Sequence, residues 1–154
     1  MQAPEQIRPA RLADYLEILT KAVFQSGMSW SVVEAKWDGF RQAFEGFDPA
    51  TVAAFADDDV ERLAADKRII RNRRKIEATI TNAEAMLALD GGPGGFSGWL
   101  HSHADFDDTV AALRGEFRFV GDSGAYFFLY VVGESVPSHE EWMEAHGKRP
   151  RETR

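Results

Sequence analysis

The chain has 154 residues and no cysteine. That absence excludes disulfides, thiolate catalysis and cysteine-ligated zinc. It also lacks a long apolar run: nothing approaches the roughly 20 residues needed to span a bilayer. The opening stretch, MQAPEQIRPARL, has no apolar signal segment. There is no internal repeat and no low-complexity tail. What is present is a hydrophobic content of 44%, enough for a packed core, and a charged content of 28%, ordinary for a soluble protein. The reading is one soluble, cytoplasmic domain over residues 1–154, with residues 1–10 and 147–154 as flexible ends.

Net charge is −7, which taken alone argues against nucleic acid. The charge is not evenly spread. Lys67, Arg68, Arg71, Arg73, Arg74 and Lys75 form a dense basic block, and Lys148, Arg149, Arg151 and Arg154 end the chain. A local patch can hold phosphate on an acidic protein. The plainer alternative is that both groups are solvated surface.

Periodicity predicts helices throughout. After Pro9, the residues Leu12, Tyr15, Leu16, Ile18, Leu19 and Val23 recur at close to helical spacing up to Gly27. A second helix runs from Ser29 or Ser31 through Val32, Val33, Trp37, Phe40 and Phe44. Asp48-Pro49 reads as an N-cap and first helical residue. A short helix starts at Asp57 or Asp58. A long one carries Ile76, Ile80, Ala83 and Leu87 on one face. DGGPGG, residues 90–95, is a turn. Shorter helices are expected at about 96–103, 107–115, 122–133 and 138–146. AYFFLYVV, residues 125–132, has strand-like composition, but with no partner strands it reads as a buried helix. The fold class is all-α.

Two stretches carry chemistry. The first is a helix–turn–helix around IIRNRRKI. Ile69 and Ile70 anchor the turn, and Asn72 can cap the following helix. Exposed amides at that helix start, flanked by arginine, suit a phosphate, because orphan N–H groups, the helix dipole and bidentate guanidinium contacts all favour an anion. A surface hairpin with incidental basic residues is the alternative. The second stretch is FQSGMSW, residues 24–30, which ends a regular helix on a glycine and then presents Met28 and Trp30. Either a core or a pocket that stacks a flat ligand accounts for it, and by itself a tryptophan more often belongs to the core.

The combination resembles the 3-methyladenine DNA glycosylase I family over roughly residues 12–140. The likeness rests on SGMSWSVVEAKWDGFRQAF, on FDPATVAAFADDDVERLAADKRIIRNRRKIEATITNAEAML, and on FRFVGDSGAYFFLYVVG. Gln25, Gly27, Ser29 and Trp30 match the family's Q-x-G-L-S-W, with Met28 in place of leucine. The resemblance implies a helix–hairpin–helix glycosylase fold, binding to double-stranded DNA, and excision of an alkylated purine base in base excision repair. It implies that Trp30 stacks on the flipped base, that Gln25 and Ser29 line the pocket, and that Gly27 and Met28 form the wedge. Arg71, Asn72, Arg73, Arg74 and Lys75 would hold the DNA backbone. Stacking and an apolar plug offset part of the few kcal/mol of unstacking, and a cationic base gains attraction to an indole face.

The departures are equally specific. The family's opening segment of Cys, Trp, Tyr-His and Asp-x-Glu-Trp has no match in residues 1–11, and its zinc ligands are not present. His139 falls near the C-terminal histidine ligand without partners, so no metal and no cofactor are expected. The family glutamate eight residues before Trp30 is replaced by Ala22, beside Lys21. Glu17, Glu34 and Asp122 are poor substitutes, and no catalytic residue is assigned. Two hairpin glycines become Arg68 and Arg74, losing any close backbone approach that needed glycine. His101, His103, Asp105 and Asp107 form at most a solvated loop, since i and i+2 do not share a helix face. No nucleophile motif surrounds a serine. Two rivals to excision follow: a catalytically lapsed protein that keeps the fold and binds DNA or a partner, and a binder of free nucleobases. A homo-oligomer is possible.

Overall fold

The computed structural model describes residues 3–147 and, among these, contains helices and no strand. The C-terminal basic group Lys148, Arg149, Arg151 and Arg154 lies outside the described residues. No described helix is long and apolar enough to cross a membrane.

Helix α1, Leu12–Gln25, is the central element. Asp14 secures its start by accepting from the amides of Ala10 and Arg11 at 2.8 and 3.0 Å. Leu16, Leu19, Val23 and Phe24 are fully buried. Residues 3–11 form no helix. They are nevertheless tied to residues far along the chain, because the Ile7 amide donates to the Val131 carbonyl at 2.8 Å and Gln6 Nε2 to the Tyr130 carbonyl at 2.9 Å.

The single helix expected from Ser29 to Phe44 is broken in two: α2, Trp30–Ala35, and α3, Trp37–Ala43. The last turn of α2 tightens, with the Lys36 amide donating to the Val33 carbonyl at 3.1 Å. Lys36 then sends its ammonium to the Lys67 carbonyl at 3.2 Å, joining this break to the basic turn. Below it an aromatic column forms. Trp37 stacks on Phe40 at 4.7 Å and on Phe47 at 5.5 Å, and Phe44 stacks on Phe47 at 5.4 Å. Closing the column puts Glu45, Gly46 and Phe47 in the left-handed region (φ 51°, 71° and 59°). Each non-glycine residue there costs about 1–2 kcal/mol. Full burial of the Phe47 ring, worth about 1.5–3 kcal/mol, offsets it.

Helix α4, Pro49–Ala53, starts as expected: Asp48 caps it by accepting from the Thr51 amide at 3.0 Å and the Thr51 hydroxyl at 2.7 Å. Helix α5, Asp57–Ala64, leads into the basic turn, and α6, Arg73–Asp90, leaves it. The buried face of α6 is rotated from the expected one. Ile76, Thr79, Ala83 and Met86 are fully buried, while Ile80 and Leu87 are only half-buried. Thr79 tolerates the interior because its hydroxyl donates to the Lys75 carbonyl at 2.8 Å.

Helices α7 (Gly95–Leu100), α8 (Phe106–Glu116), α9 (Asp122–Val131) and α10 (His139–Gly147) complete the described chain. The run AYFFLYVV is helical in α9 up to Val131. Ala125, Phe127, Phe128, Leu129 and Val131 bury on more than one side, which is why no single-face period was visible.

Gly39 lets α3 touch the basic turn. A Cβ at this position would lie 2.4 Å from the Arg68 carbonyl oxygen. Gly39→Ala is therefore expected to destabilise the fold by about 1–3 kcal/mol through overpacking, read from urea unfolding, with the midpoint falling and the slope unchanged.

Candidate functional site

The basic turn and the FQSGMSW stretch meet at the first turn of α6. Asn72 caps that helix, its Oδ1 accepting from the Lys75 amide at 3.1 Å, as its position in the sequence suggests. The next three side chains fan out at about 100° intervals. Each reaches a different element.

Arg73 turns toward α5 and binds Glu61 with both terminal nitrogens, at 2.6 and 2.8 Å. This pairing lowers the carboxylate's pKa from its ordinary value and raises the guanidinium's, mainly through the hydrogen bonds. It is an exposed pair, so its net stabilisation is small and exchangeable. Arg74 lies over the ring of Phe119, 5.8 Å from its centroid. Lys75 points inward.

Lys75 is the main correction to the expected set of DNA-backbone residues. It is only 6% exposed. Its ammonium donates to the Phe24 carbonyl at 3.2 Å and the Ser26 carbonyl at 2.5 Å. These carbonyls end α1, where the helix leaves its last acceptors without partners. Burial pushes the lysine's pKa below its ordinary value. Lys75 thus stitches the hairpin helix to the stretch that follows α1 and does not face solvent. Arg68 is also engaged, with Nε and Nη2 on the Asp66 carboxylate, the shortest contact being 2.7 Å. Arg71 and Arg74 stay exposed and form no ion pair with described residues.

Past α1 the chain turns at Gly27, whose φ of 73° favours glycine; a Cβ there would meet nothing within 4 Å, so the demand is conformational rather than spatial. The Met28 amide closes the turn on the Gln25 carbonyl at 3.0 Å. Met28 and Trp30 then stand out at 38% and 44% exposed. The core alternative for Trp30 is excluded by that exposure. Its ring meets Phe127 of α9 in a T-shaped contact at 5.0 Å, which braces it without covering it. Ser29 is exposed and shares a 2.9 Å hydrogen bond with the Ser31 hydroxyl. Gln25 is buried in the last turn of α1.

The carboxylates considered as substitutes are committed elsewhere. Glu17 accepts from Trp37 Nε1 at 2.8 Å and from Arg41 Nε at 2.7 Å. Glu34 pairs with Lys21 at 2.6 Å, and the Lys21 ammonium also lies 5.3 Å from the centre of the Trp37 ring. Asp122 pairs with Arg114 at 3.0 Å. Ala22 is buried, and its methyl lies where it would touch a Cβ on Gly124 of α9 at 3.7 Å. The position is filled by close helix packing.

His101 pairs with Glu134 at 2.7 Å, and His103 meets the Trp99 ring edge-on at 4.9 Å. No group of three His, Cys, Asp or Glu among the described residues is arranged to hold a metal. His139 instead lies 6.1 Å from Tyr126, ring to ring.

Two partners escaped sequence reasoning. Asn82, on the buried side of α6, pairs with the backbone of Arg118: its Nδ2 donates to the carbonyl at 3.2 Å and its Oδ1 accepts from the amide at 2.8 Å. Phe119, next along, is 40% exposed with φ 61°. A buried asparagine on a helix does hint at a satisfied backbone, but nothing in the sequence names which one.

Known proteins are similar to this chain in sequence and fold. A family profile described as methyladenine glycosylase matches residues 11–116. DNA-3-methyladenine glycosylase 1 of Escherichia coli (strain K12) is 33% identical across 71% of this chain and 70% of its own length. DNA-3-methyladenine glycosylase of Haemophilus influenzae is 29% identical over the same shares. A crystal structure of 3-methyladenine DNA glycosylase I is similar at a TM-score of 0.70, with 30% identity, covering 82% of this chain and 81% of that one. The Staphylococcus aureus 3-methyladenine DNA glycosylase I shares the fold at a TM-score of 0.73 and 23% identity, covering 84% of this chain and 80% of that one.

Lys75→Met is expected to lower stability by about 1–3 kcal/mol, because two carbonyls at the end of α1 lose their donor. The same substitution alters the pH dependence of stability. Folding lowers the lysine's pKa, so over the window between that lowered value and the unfolded value of about 10.4 the unfolded chain holds the extra proton. Wild type should gain stability relative to Lys75→Met as pH rises through that window, measured by urea titration at a series of pH values.

Proposed function

The chain belongs to the methyladenine glycosylase family, and from that premise we propose that it is a 3-methyladenine DNA glycosylase of base excision repair, hydrolysing the N-glycosidic bond of an alkylated base in duplex DNA. The observation that carries the proposal is the joint at Lys75, which sets the exposed Gly27–Trp30 stretch beside the hairpin. A base-binding aromatic and a backbone-binding turn must hold a fixed spacing if one base is to be drawn out while its strand is held.

In this reading Trp30 stacks on the extruded base, Gln25 and Ser29 border it, and Gly27 and Met28 occupy the space it leaves. Arg71, Arg74 and the Asn72-capped helix start hold phosphates, with Arg73 recruited by exchanging Glu61 for a phosphate. The chemistry asks little of the protein. An N3-methylated adenine leaves with the glycosidic electron pair, and its positive charge disappears as it goes. Water adds to C1′ of the resulting sugar cation and loses a proton, giving free base and an abasic site. No cofactor or metal enters that balance. The proposal includes a cytoplasmic location with access to genomic DNA.

One observation favours a second reading. The position where the resemblance expects a glutamate is Ala22, packed against α9 and buried, and neither Glu17 nor Glu34 is free to replace it. A protein that keeps the fold and binds DNA without excision fits that loss.

The deciding assay is base release from methylated duplex DNA. Wild type is expected to release 3-methyladenine above the spontaneous rate, and Trp30→Ala to lose on the order of 10- to 100-fold. Duplex binding without release by folded wild type would establish the second reading instead. In binding titrations across salt, Arg71→Ala and Arg74→Ala should each reduce the slope of log affinity against log salt by about 0.9, while Lys75→Met should leave it unchanged.

A further inference from the structure

The loop between α8 and α9, residues 117–121, has an odd arrangement of its aromatics. Phe117 and Val120 are buried, at 4% and 7% exposed, and anchor the loop in the core. Simple alternation along an extended segment would turn Phe119 inward with Phe117. The left-handed backbone at Phe119, φ 61°, breaks that alternation and leaves the residue 40% exposed. The other phenylalanine with such a backbone, Phe47, is fully buried in the aromatic column, so its strain is repaid by packing. Phe119 has no such return within the fold. Strained backbone that packing does not repay concentrates where a ligand is met.

The loop is also held rigidly. Asn82 takes both the amide and the carbonyl of Arg118. Arg74 covers one part of the Phe119 ring, and Arg118, the preceding residue, is exposed. Arg74 and Lys75 are consecutive, so Phe119 and the Ser26–Trp30 stretch flank the same turn of α6 on two sides. The result is an exposed aromatic that carries the Arg74 guanidinium on its ring and follows the exposed Arg118 in the chain, continuous with the proposed DNA-binding turn.

We propose that Phe119 is a third DNA-contacting element, stacking on a base face uncovered where the duplex is opened, with Arg74 and Arg118 on the adjoining phosphates. The inference rests on the DNA reading above and adds a residue to it. An aromatic face suits any base and pairs naturally with flanking cations. Arg74, now over the ring, is placed to move to phosphate as a base takes its place.

The test is fluorescence anisotropy with two labelled duplexes, one intact and one carrying a single abasic-site analogue. Phe119→Ala is expected to weaken binding to the abasic duplex by roughly 5- to 150-fold. On the intact duplex, where no base face is uncovered, the change should be less than about twofold. Phe119→Trp should retain affinity. The salt slope should match wild type, since no charge is removed. Phe119→Gly separates binding from folding: glycine accepts this backbone, so its thermal midpoint should not fall while its affinity does. Wild-type affinity for the abasic duplex in folded Phe119→Gly, or an equal loss on both duplexes, would overturn the stacking role and leave the DNA reading intact. Failure of wild type to bind either duplex would overturn both.

Discussion

The whole candidate site depends on a buried ammonium. Lys75 lies under the hairpin with its charge on two carbonyls from the end of α1. Burying a lysine is costly, and its lowered pKa reflects that. The return is geometric. Helix ends are soft because their last carbonyls lack partners. Here the softness falls where Gly27, Met28 and Trp30 begin, and a donor from a long, well-packed helix removes it. An apolar side chain could fill the volume but could donate to neither carbonyl.

That joint also explains why so much of the basic block is not simply available charge. Six cations lie between Lys67 and Lys75. Arg68 is spent on Asp66, Arg73 on Glu61 and Lys75 on α1. Each engagement orients backbone or ties an element to the turn. The exposed remainder is narrower than the sequence suggests, and therefore more directional. For a protein of net charge −7, this matters: diffuse attraction to polyanions is weak, so among the described residues a small cationic edge concentrates the attraction.

The all-helical fold was legible because its signals are local. Asp48-Pro49, Asn72 and the apolar period of α1 act within one or two turns, and all three appear as helix starts or faces. What escaped the sequence was long-range. The break at Lys36 is joined to a carbonyl 31 residues away, and Asn82 of α6 holds the backbone of Arg118, 36 residues on. The inward turn of Lys75 is invisible in a run of arginines, because charge type predicts exposure until a buried acceptor exists. Trp30 shows the converse. Composition favoured a core tryptophan, and only the resemblance pointed outward. Phe119 had neither signal, since its exposure follows from one backbone angle.

The site without its glutamate poses an energetic question that can be bounded. A carboxylate against a cationic base in a dry pocket would contribute through both charge and hydrogen bonding, about 1.5–3 kcal/mol for the latter. Trp30, exposed and braced by Phe127, offers stacking and cation–π attraction of about 0.5–2 kcal/mol. In the proposed reading Phe119 and Met28 act on the duplex rather than on the base, and lower the cost of opening it. The remaining interactions are thus indifferent to which atom of the base is methylated. Lys21, next to Ala22, would oppose a cationic base, but Glu34 holds its ammonium at 2.6 Å and cancels most of its field. A pocket of this kind would select by the weakness of the glycosidic bond and by ease of extrusion, not by a hydrogen-bond code. Lesions with cationic, loosely stacked bases would be favoured because they leave most readily once they are reached.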